Sequence, residues 1–211
     1  MRGQDEIRAT YDAVAEQYTE AFVDELQRKP FDRELLDRYA DLVRGRGTAW
    51  EIGCGPGHVG RYLYDRGIPV SGLDLSAGMV AIASRLNPEM SFTQGTMLTL
   101  PVADAALAGI VSFYAIIHLA RAEASQALCE FHRTLQPGGY LLLSFHGGQG
   151  EIQNDNWFDQ DVRVSATLFE GDEMAGYART AGFAELVVSE RAPYEFEHQT
   201  RRVYMLARKL E

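Results

Sequence analysis

The ten residues Ala49-Trp50-Glu51-Ile52-Gly53-Cys54-Gly55-Pro56-Gly57-His58 constrain this chain more than any other stretch. A buried strand ends in an acidic residue and turns through alternating glycines, and His58 to Arg66 then carries Val59, Tyr62 and Leu63 on one side of a helix. Strand, Gly-rich turn, helix is the order of a nucleotide-cofactor loop. Glycines at 53, 55 and 57 let backbone approach a ligand, and amides at the helix start favour its negative end. Glu51 adds an acceptor at the strand end, and Cys54 reads as a small loop residue.

Two cofactor classes use such a turn. Gly55-Pro56-Gly57-His58-Val59-Gly60 satisfies the dinucleotide pattern, and Asp74 follows at about the ~20-residue distance of a ribose-binding carboxylate. The fuller string Glu51-x-Gly53-x-Gly55-x-Gly57 resembles the first motif of class I S-adenosylmethionine-dependent methyltransferases. In that family the loop holds the amino acid part of the cofactor. Leu135-x-Pro137-Gly138-Gly139 before a strand resembles a late motif of the same family. Tyr-Asp-x-x-Ala-x-x-Tyr, Tyr11 to Tyr18, resembles the segment that closes over the cofactor in small-molecule members of the UbiE and trans-aconitate methyltransferase type.

In chain order, Ile7, Tyr11, Val14, Ala15, Tyr18, Phe22 and Leu26 predict one amphipathic helix, and Leu35 to Val43 a second after Pro30. α/β alternation follows. Strands are expected at 49–52, Pro69–Asp74, Met90–Gln94, Gly109–Tyr114 and Tyr140–Phe145, with Ser76 capping one intervening helix and Pro137-Gly138-Gly139 stopping another. Ala184–Glu190 and Glu195–Lys209 are joined closely, so they must pair antiparallel. The methyltransferase family ends with such a hairpin, whereas the six-stranded dinucleotide fold is all parallel. The expected fold is therefore a Rossmann-like, doubly wound, seven-stranded α/β sheet with an antiparallel C-terminal hairpin and an N-terminal helical extension. It divides into a helical lid (1–45), a cofactor core (46–145), and a substrate-facing insert with the hairpin (146–211) of one domain.

The resemblance implies site residues. Asp74 would accept both ribose hydroxyls, or else cap the following turn; Leu75 and Met79 would flank the adenine. Gly95-Thr96-Met97 occupies the place where many relatives have an acidic residue before an apolar one, so Thr96 departs from the pattern and Met97 packs on the ring. Ala108 departs similarly. Tyr11, Tyr18, Phe113, Tyr114, Trp157 and Phe158 offer aromatic faces to a sulfonium. His118 reads as structural or cofactor-side. His146, after the fifth strand, is the base candidate unless it is an exposed loop histidine, and Tyr18 and Tyr114 complete the catalytic set. The segment from Gly147 to Phe169 reads as a long loop forming the substrate wall, with Arg163 an anion contact. The chemistry requires no metal.

Composition narrows the partners. A net charge of -10 gives no footprint for nucleic acid or an anionic membrane. Two cysteines without framework spacing fit a reducing compartment, and no apolar run follows Met1 to Glu6 as a signal peptide would require. The expectation is a cytoplasmic monomer or homodimer that methylates a small molecule with S-adenosylmethionine. An NAD-dependent oxidoreductase, a macromolecule-modifying methyltransferase and a non-catalytic cofactor-binding module remain open alternatives.

Overall fold

The chain's computed structural model describes residues 3–210, so the absence of a signal peptide, read partly on Met1 and Arg2, concerns a stretch that begins outside them. Three helices come first: α1 (Gln4–Ala13), α2 (Ala15–Phe22) and α3 (Pro30–Val43). The single helix expected through Leu26 is thus broken, because Val14 leaves helical geometry (φ -112°, ψ 12°) while fully buried. Beyond Phe22, residues Glu25–Arg28 form a 3-10 turn, and Pro30 takes the first turn of α3, where its missing N–H costs nothing.

The core alternates β1 (Ala49–Ile52), α4 (His58–Tyr64), β2 (Val70–Asp74), α5 (Ala77–Leu86), β3 (Ser91–Gln94), β4 (Leu107–Phe113), α6 (Arg121–Thr134) and β5 (Leu135–Gly147). The segment expected to be a loop instead forms a separate antiparallel hairpin, β6 (Glu151–Asn154) with β7 (Val164–Thr167). α7 (Gly171–Ala181), β8 (Phe183–Arg191) and β9 (Arg201–Lys209) complete the chain. Ser76 caps α5 as expected, accepting from the Met79 amide at 3.0 Å. α6 stops earlier than Pro137, at Thr134, and β5 begins directly after it.

The seven-stranded sheet has the order β3-β2-β1-β4-β5-β9-β8. β1 to β5 pair in parallel, whereas β9 runs antiparallel between β5 and β8, which excludes the all-parallel dinucleotide sheet. Both faces are covered, so neighbouring residues of the central strands enter opposite cores. Ile110 and Leu141 join Phe131 and Phe145, while Val111 and Leu142 join Leu36 and Tyr39. At Gly109 α3 comes close to the sheet: a Cβ there would stand 2.2 Å from the Tyr39 hydroxyl. Among the described residues, no helix is long and apolar enough to cross a membrane.

Candidate active site

Strand ends of a doubly wound sheet open a crevice where the strand order reverses, here between β1 and β4. The β1 turn reaches this crevice through left-handed backbone at Gly53 (φ 70°), Gly55 (φ 50°) and Gly57 (φ 80°). At Gly53 the constraint is also steric, since a Cβ would lie 2.2 Å from that of Ala115. Gly55 presents bare backbone across from the Tyr18 ring, 3.6 Å from where its Cβ would be. Asp74 ties the turn down: its Oδ2 accepts from the Gly55 amide at 2.8 Å and its Oδ1 from the Ser76 amide at 2.9 Å. Burial pushes this carboxyl up to about 6 against those two amides.

A first cleft of about 720 Å³, mouth included, lies over this turn. Of the residues expected to hold the cofactor, Gly53, Gly55, Asp74 and Leu75 line it from β1 and β2. Gly95, Thr96 and Met97 line it from the end of β3, Phe113 and His118 from behind β4, and Tyr11 and Tyr18 from the lid. Four expected residues do not line it. Glu51 is buried beneath, its Oε2 accepting from the Gly60 amide at 2.8 Å, and burial raises its carboxyl to about 7. Cys54 is buried against β2, Gly57 faces Phe92, and Met79 packs with Ala15 and Ile82. Glu51, Cys54 and Gly57 shape the loop from behind, and Met79 supports the lid helices. The sequence reading missed Gln4, Ile7 and Arg8 on α1, whose place over the cleft depends on tertiary packing alone.

α1 is fastened over the cleft by three consecutive side chains. Thr10 Oγ1 donates to the Arg163 carbonyl (3.1 Å), and Asp12 Oδ1 accepts from Ser76 Oγ (2.5 Å) and the Gly78 amide (3.0 Å). Between them the Tyr11 hydroxyl meets His118 Nε2 at 2.6 Å. His118 Nδ1 faces the Ser165 carbonyl at 3.0 Å, and a carbonyl only accepts. Nδ1 therefore carries the proton, and Tyr11 donates to Nε2.

A second cavity, about 1710 Å³ with its mouth, adjoins the first. Tyr11, Tyr18, Tyr114 and His118 line both, so they mark the border where the two meet. Trp157, Phe22 and Ile152 give the second cavity an apolar side, with Trp157 5.3 Å from Tyr11 and 5.8 Å from Tyr18 between ring centroids. Phe158 stands behind them, 6.3 Å from Tyr18. The opposite side is charged. Lys29 Nζ bridges Glu25 (2.7 Å) and Glu197 (3.3 Å), and Glu197 also takes both Arg191 Nη atoms at 2.6 and 3.0 Å. No sequence pattern flagged Lys29, Glu197 or Arg202, because buried charges read like surface ones.

Tyr114 and His146 sit at this charged side. Tyr114 holds left-handed backbone (φ 52°), an uncommon state for a bulky residue that the Ser144 carbonyl fixes by accepting its amide at 2.9 Å. Its ring lies near Lys29 (5.2 Å) and Arg202 (5.6 Å). Tyr204 donates to Asp32 (3.0 Å), so Tyr114, at 3.2 Å, donates to Tyr204. That hydroxyl is committed inward, leaving the ring rather than the oxygen to face the cavity. His146 corrects the base expectation. Arg202 Nη1, which can only donate, approaches His146 Nδ1 at 2.8 Å, so the neutral ring carries its proton on Nε2. Burial, with Arg202 next, holds this imidazole down to about 3, so it stays neutral and its lone pair is already taken. Arg163 is not an anion contact either, since its guanidinium pairs with Asp155.

The profile of the methyltransferase domain matches residues 49–139. A malonyl-acyl-carrier-protein O-methyltransferase of Enterobacter lignolyticus is 34% identical over 117 residues, 53% of this chain and 46% of that protein. A demethylmenaquinone methyltransferase of Renibacterium salmoninarum is 28% identical over 142 residues, 66% of this chain and 58% of that one. The chain belongs to the class I S-adenosylmethionine-dependent methyltransferases. The solved structure of a SAM-dependent methyltransferase from Methanosarcina mazei shares the fold, with a TM-score of 0.68 at 19% identity over 77% of this chain and 92% of that one. The chain spans about half the length of the curated relatives it matches. S-adenosylmethionine is the cofactor of this family, and the first cleft fits it: a bare-backbone cradle at Gly55, a carboxylate at the β2 end, and apolar Leu75 and Met97 for a ring.

Proposed function

We propose that this methyltransferase transfers a methyl group from S-adenosylmethionine to a small molecule held in the second cavity. One observation carries the reading: the same four side chains, Tyr11, Tyr18, Tyr114 and His118, wall both cavities. A nucleophile reaching from the second cavity between these side chains would thus meet a group presented from the first at the border the two share. When bound, the cofactor would supply an electrophilic methyl on a sulfonium that is its own leaving group, so the acceptor would need only a lone pair held in line with it. The chain's residues supply position and dryness. Tyr18 and Tyr11 offer ring faces to a cation, Asp74 would take the ribose hydroxyls, and α1 with Trp157 excludes water. His146 is not the base, so any proton on the acceptor leaves by another route.

A small acceptor is favoured because the β6–β7 hairpin and residues 196–198 line the cavity together with the lid helices and narrow it. The buried Cys54 and exposed Cys129 are both free thiols, which supports the cytoplasm as the setting. Calorimetric titration with S-adenosylhomocysteine and with NAD tests the cofactor side. Micromolar binding of the first alone, then label transfer from methyl-labelled cofactor to a member of a small-molecule panel, supports the reading. Binding of NAD alone, or cofactor binding with no transfer to any acceptor, overturns it.

A further inference from the structure

The second cavity holds more hydrogen-bond donors than its own acceptors use. Glu197 is saturated: Oε2 takes Arg191 Nη1 and the Tyr194 amide (2.8 Å), and Oε1 takes Arg191 Nη2 and Lys29. Glu25 spends one oxygen on Lys29 and the other on His58 Nε2 at 3.2 Å. Asp155, at the rim, pairs with Arg163. On the donor side, His146 Nε2–H has no protein partner among the described residues, because both hydrogen-bond contacts of the ring, Arg202 and Thr200 Oγ1, fall on Nδ1. Lys29 has three protons and two carboxylate partners. Arg28, at the mouth, stacks over the Phe196 ring at 4.2 Å and has no acidic partner among the described residues.

Unused donors beside a saturated Glu197, with Glu25 and Asp155 already paired to cations, favour a ligand group that only accepts. An ammonium would face the positive charges of Lys29 and Arg28 and would have to share Glu25 or the rim carboxylate Asp155 with their present cations; a neutral amide would leave its own N–H groups facing Lys29 and Arg28. A carboxylate or phosphate oxyanion satisfies all of them, and its charge is matched by Lys29 and Arg28. The aromatic side formed by Trp157 and Phe22 suits an apolar body on the same molecule.

We propose that the methyl acceptor carries an oxyanion, carboxylate or phosphate, that accepts from His146 Nε2–H and Lys29 while its apolar body lies against Trp157. This deepens the proposed methyl transfer and rests on it for calling the ligand the acceptor. His146 then positions the acceptor by donating.

The test titrates the full chain, with and without saturating S-adenosylhomocysteine, with 3-phenylpropanoate, phenyl phosphate, 3-phenylpropanamide and 3-phenylpropylamine, followed by calorimetry. At least one oxyanion probe should bind tenfold or more tighter than the amide, and the amine weakest. His146→Phe should remove that preference while leaving S-adenosylhomocysteine affinity unchanged, which also certifies the fold. His146→Gln, which keeps a donor, should restore part of it, and Arg28→Gln should weaken oxyanions two- to fivefold. Equal binding of oxyanions and amide, or tighter binding of the amine, overturns the proposal. Failure of S-adenosylhomocysteine to bind strikes the methyl-transfer reading instead, because the oxyanion preference is read without it.

Discussion

Asp74 has two tasks. Its oxygens pin the Gly55 and Ser76 amides, and the remaining lone pairs would meet the ribose. Losing charge-assisted bonds of this kind costs about 1–3 kcal/mol, so Asp74→Ala should weaken S-adenosylhomocysteine by that amount in calorimetry. Unchanged affinity would remove Asp74 from the cofactor site. The same carboxyl gives the binding a pH dependence. Burial raises it to about 6, so the empty site is ionised at pH 7.5 and largely protonated at pH 5. Ribose hydroxyls donate to the ionised form, so binding at low pH must first expel a proton. Affinity should therefore be flat above pH 7 and fall from pH 6 to 5, and Asp74→Asn should be weaker and flat throughout. Glu51, raised to about 7 by burial, is the competing titration. A Glu51→Gln variant that keeps the acid limb assigns it to Asp74; one that loses it assigns it to Glu51.

At the scale of elements, α1 behaves as a strap whose residues 10, 11 and 12 reach three partners: the β6–β7 hairpin, His118 and the N-terminus of α5. Tyr11→Phe removes the hydroxyl and its bond to His118 but keeps the ring, at about 1 kcal/mol. If α1 must lift for the cofactor to leave, S-adenosylhomocysteine should dissociate roughly fivefold faster, with little change in association, by stopped-flow fluorescence of Trp157. An unchanged dissociation rate would make α1 a fixed wall. This element also shows where sequence stops being legible. Parallel strands buried on both faces announce themselves as apolar runs, which is why β1, β2, β4, β5 and the C-terminal pairing were readable, as was the Asp74 side of the cleft. The break at Val14 was not, since each half keeps helical spacing and only packing against α5 bends the chain. β6 and β7 are four residues each, the first mostly exposed and the second half-buried to buried, too short to show a period. The cations of the second cavity were hidden for a related reason: Lys29 and Arg202 lie far apart in sequence, and nothing local marks a buried charge.

Across the whole molecule, those buried charges join the two ends of the chain. Asp32 and Lys29 at the start of α3 meet Arg191 and Glu197 of the C-terminal hairpin and its loop, so the N-terminal extension closes onto the last two strands around the second cavity. Such a network adds little net stability over an apolar one, yet breaking it is costly because it strands the remaining charges. Glu197, whose side chain is 3% exposed, is the shared partner of Arg191, Lys29 and Arg202. Glu197→Gln should cost about 3 kcal/mol at pH 7, visible as a lower midpoint in denaturant unfolding. The pH dependence has a definite sign. Burial pushes the Glu197 and Glu25 carboxyls up, but Arg191 holds the first and His58 and Lys29 the second down to about 2. A carboxylate depressed in the fold contributes stability above its unfolded value near ~4.3 and loses it as pH falls toward the folded one. Asp32 does not share that loss, because burial raises it despite Lys29 and Arg191, and it protonates earlier on acidification. Wild type should thus lose stability progressively from about pH 5 to pH 2, and Glu197→Gln, already deprived of one depressed carboxylate, should descend less steeply over that range. Parallel descent of the two curves would mean that the clasp between the chain ends is not carried by Glu197.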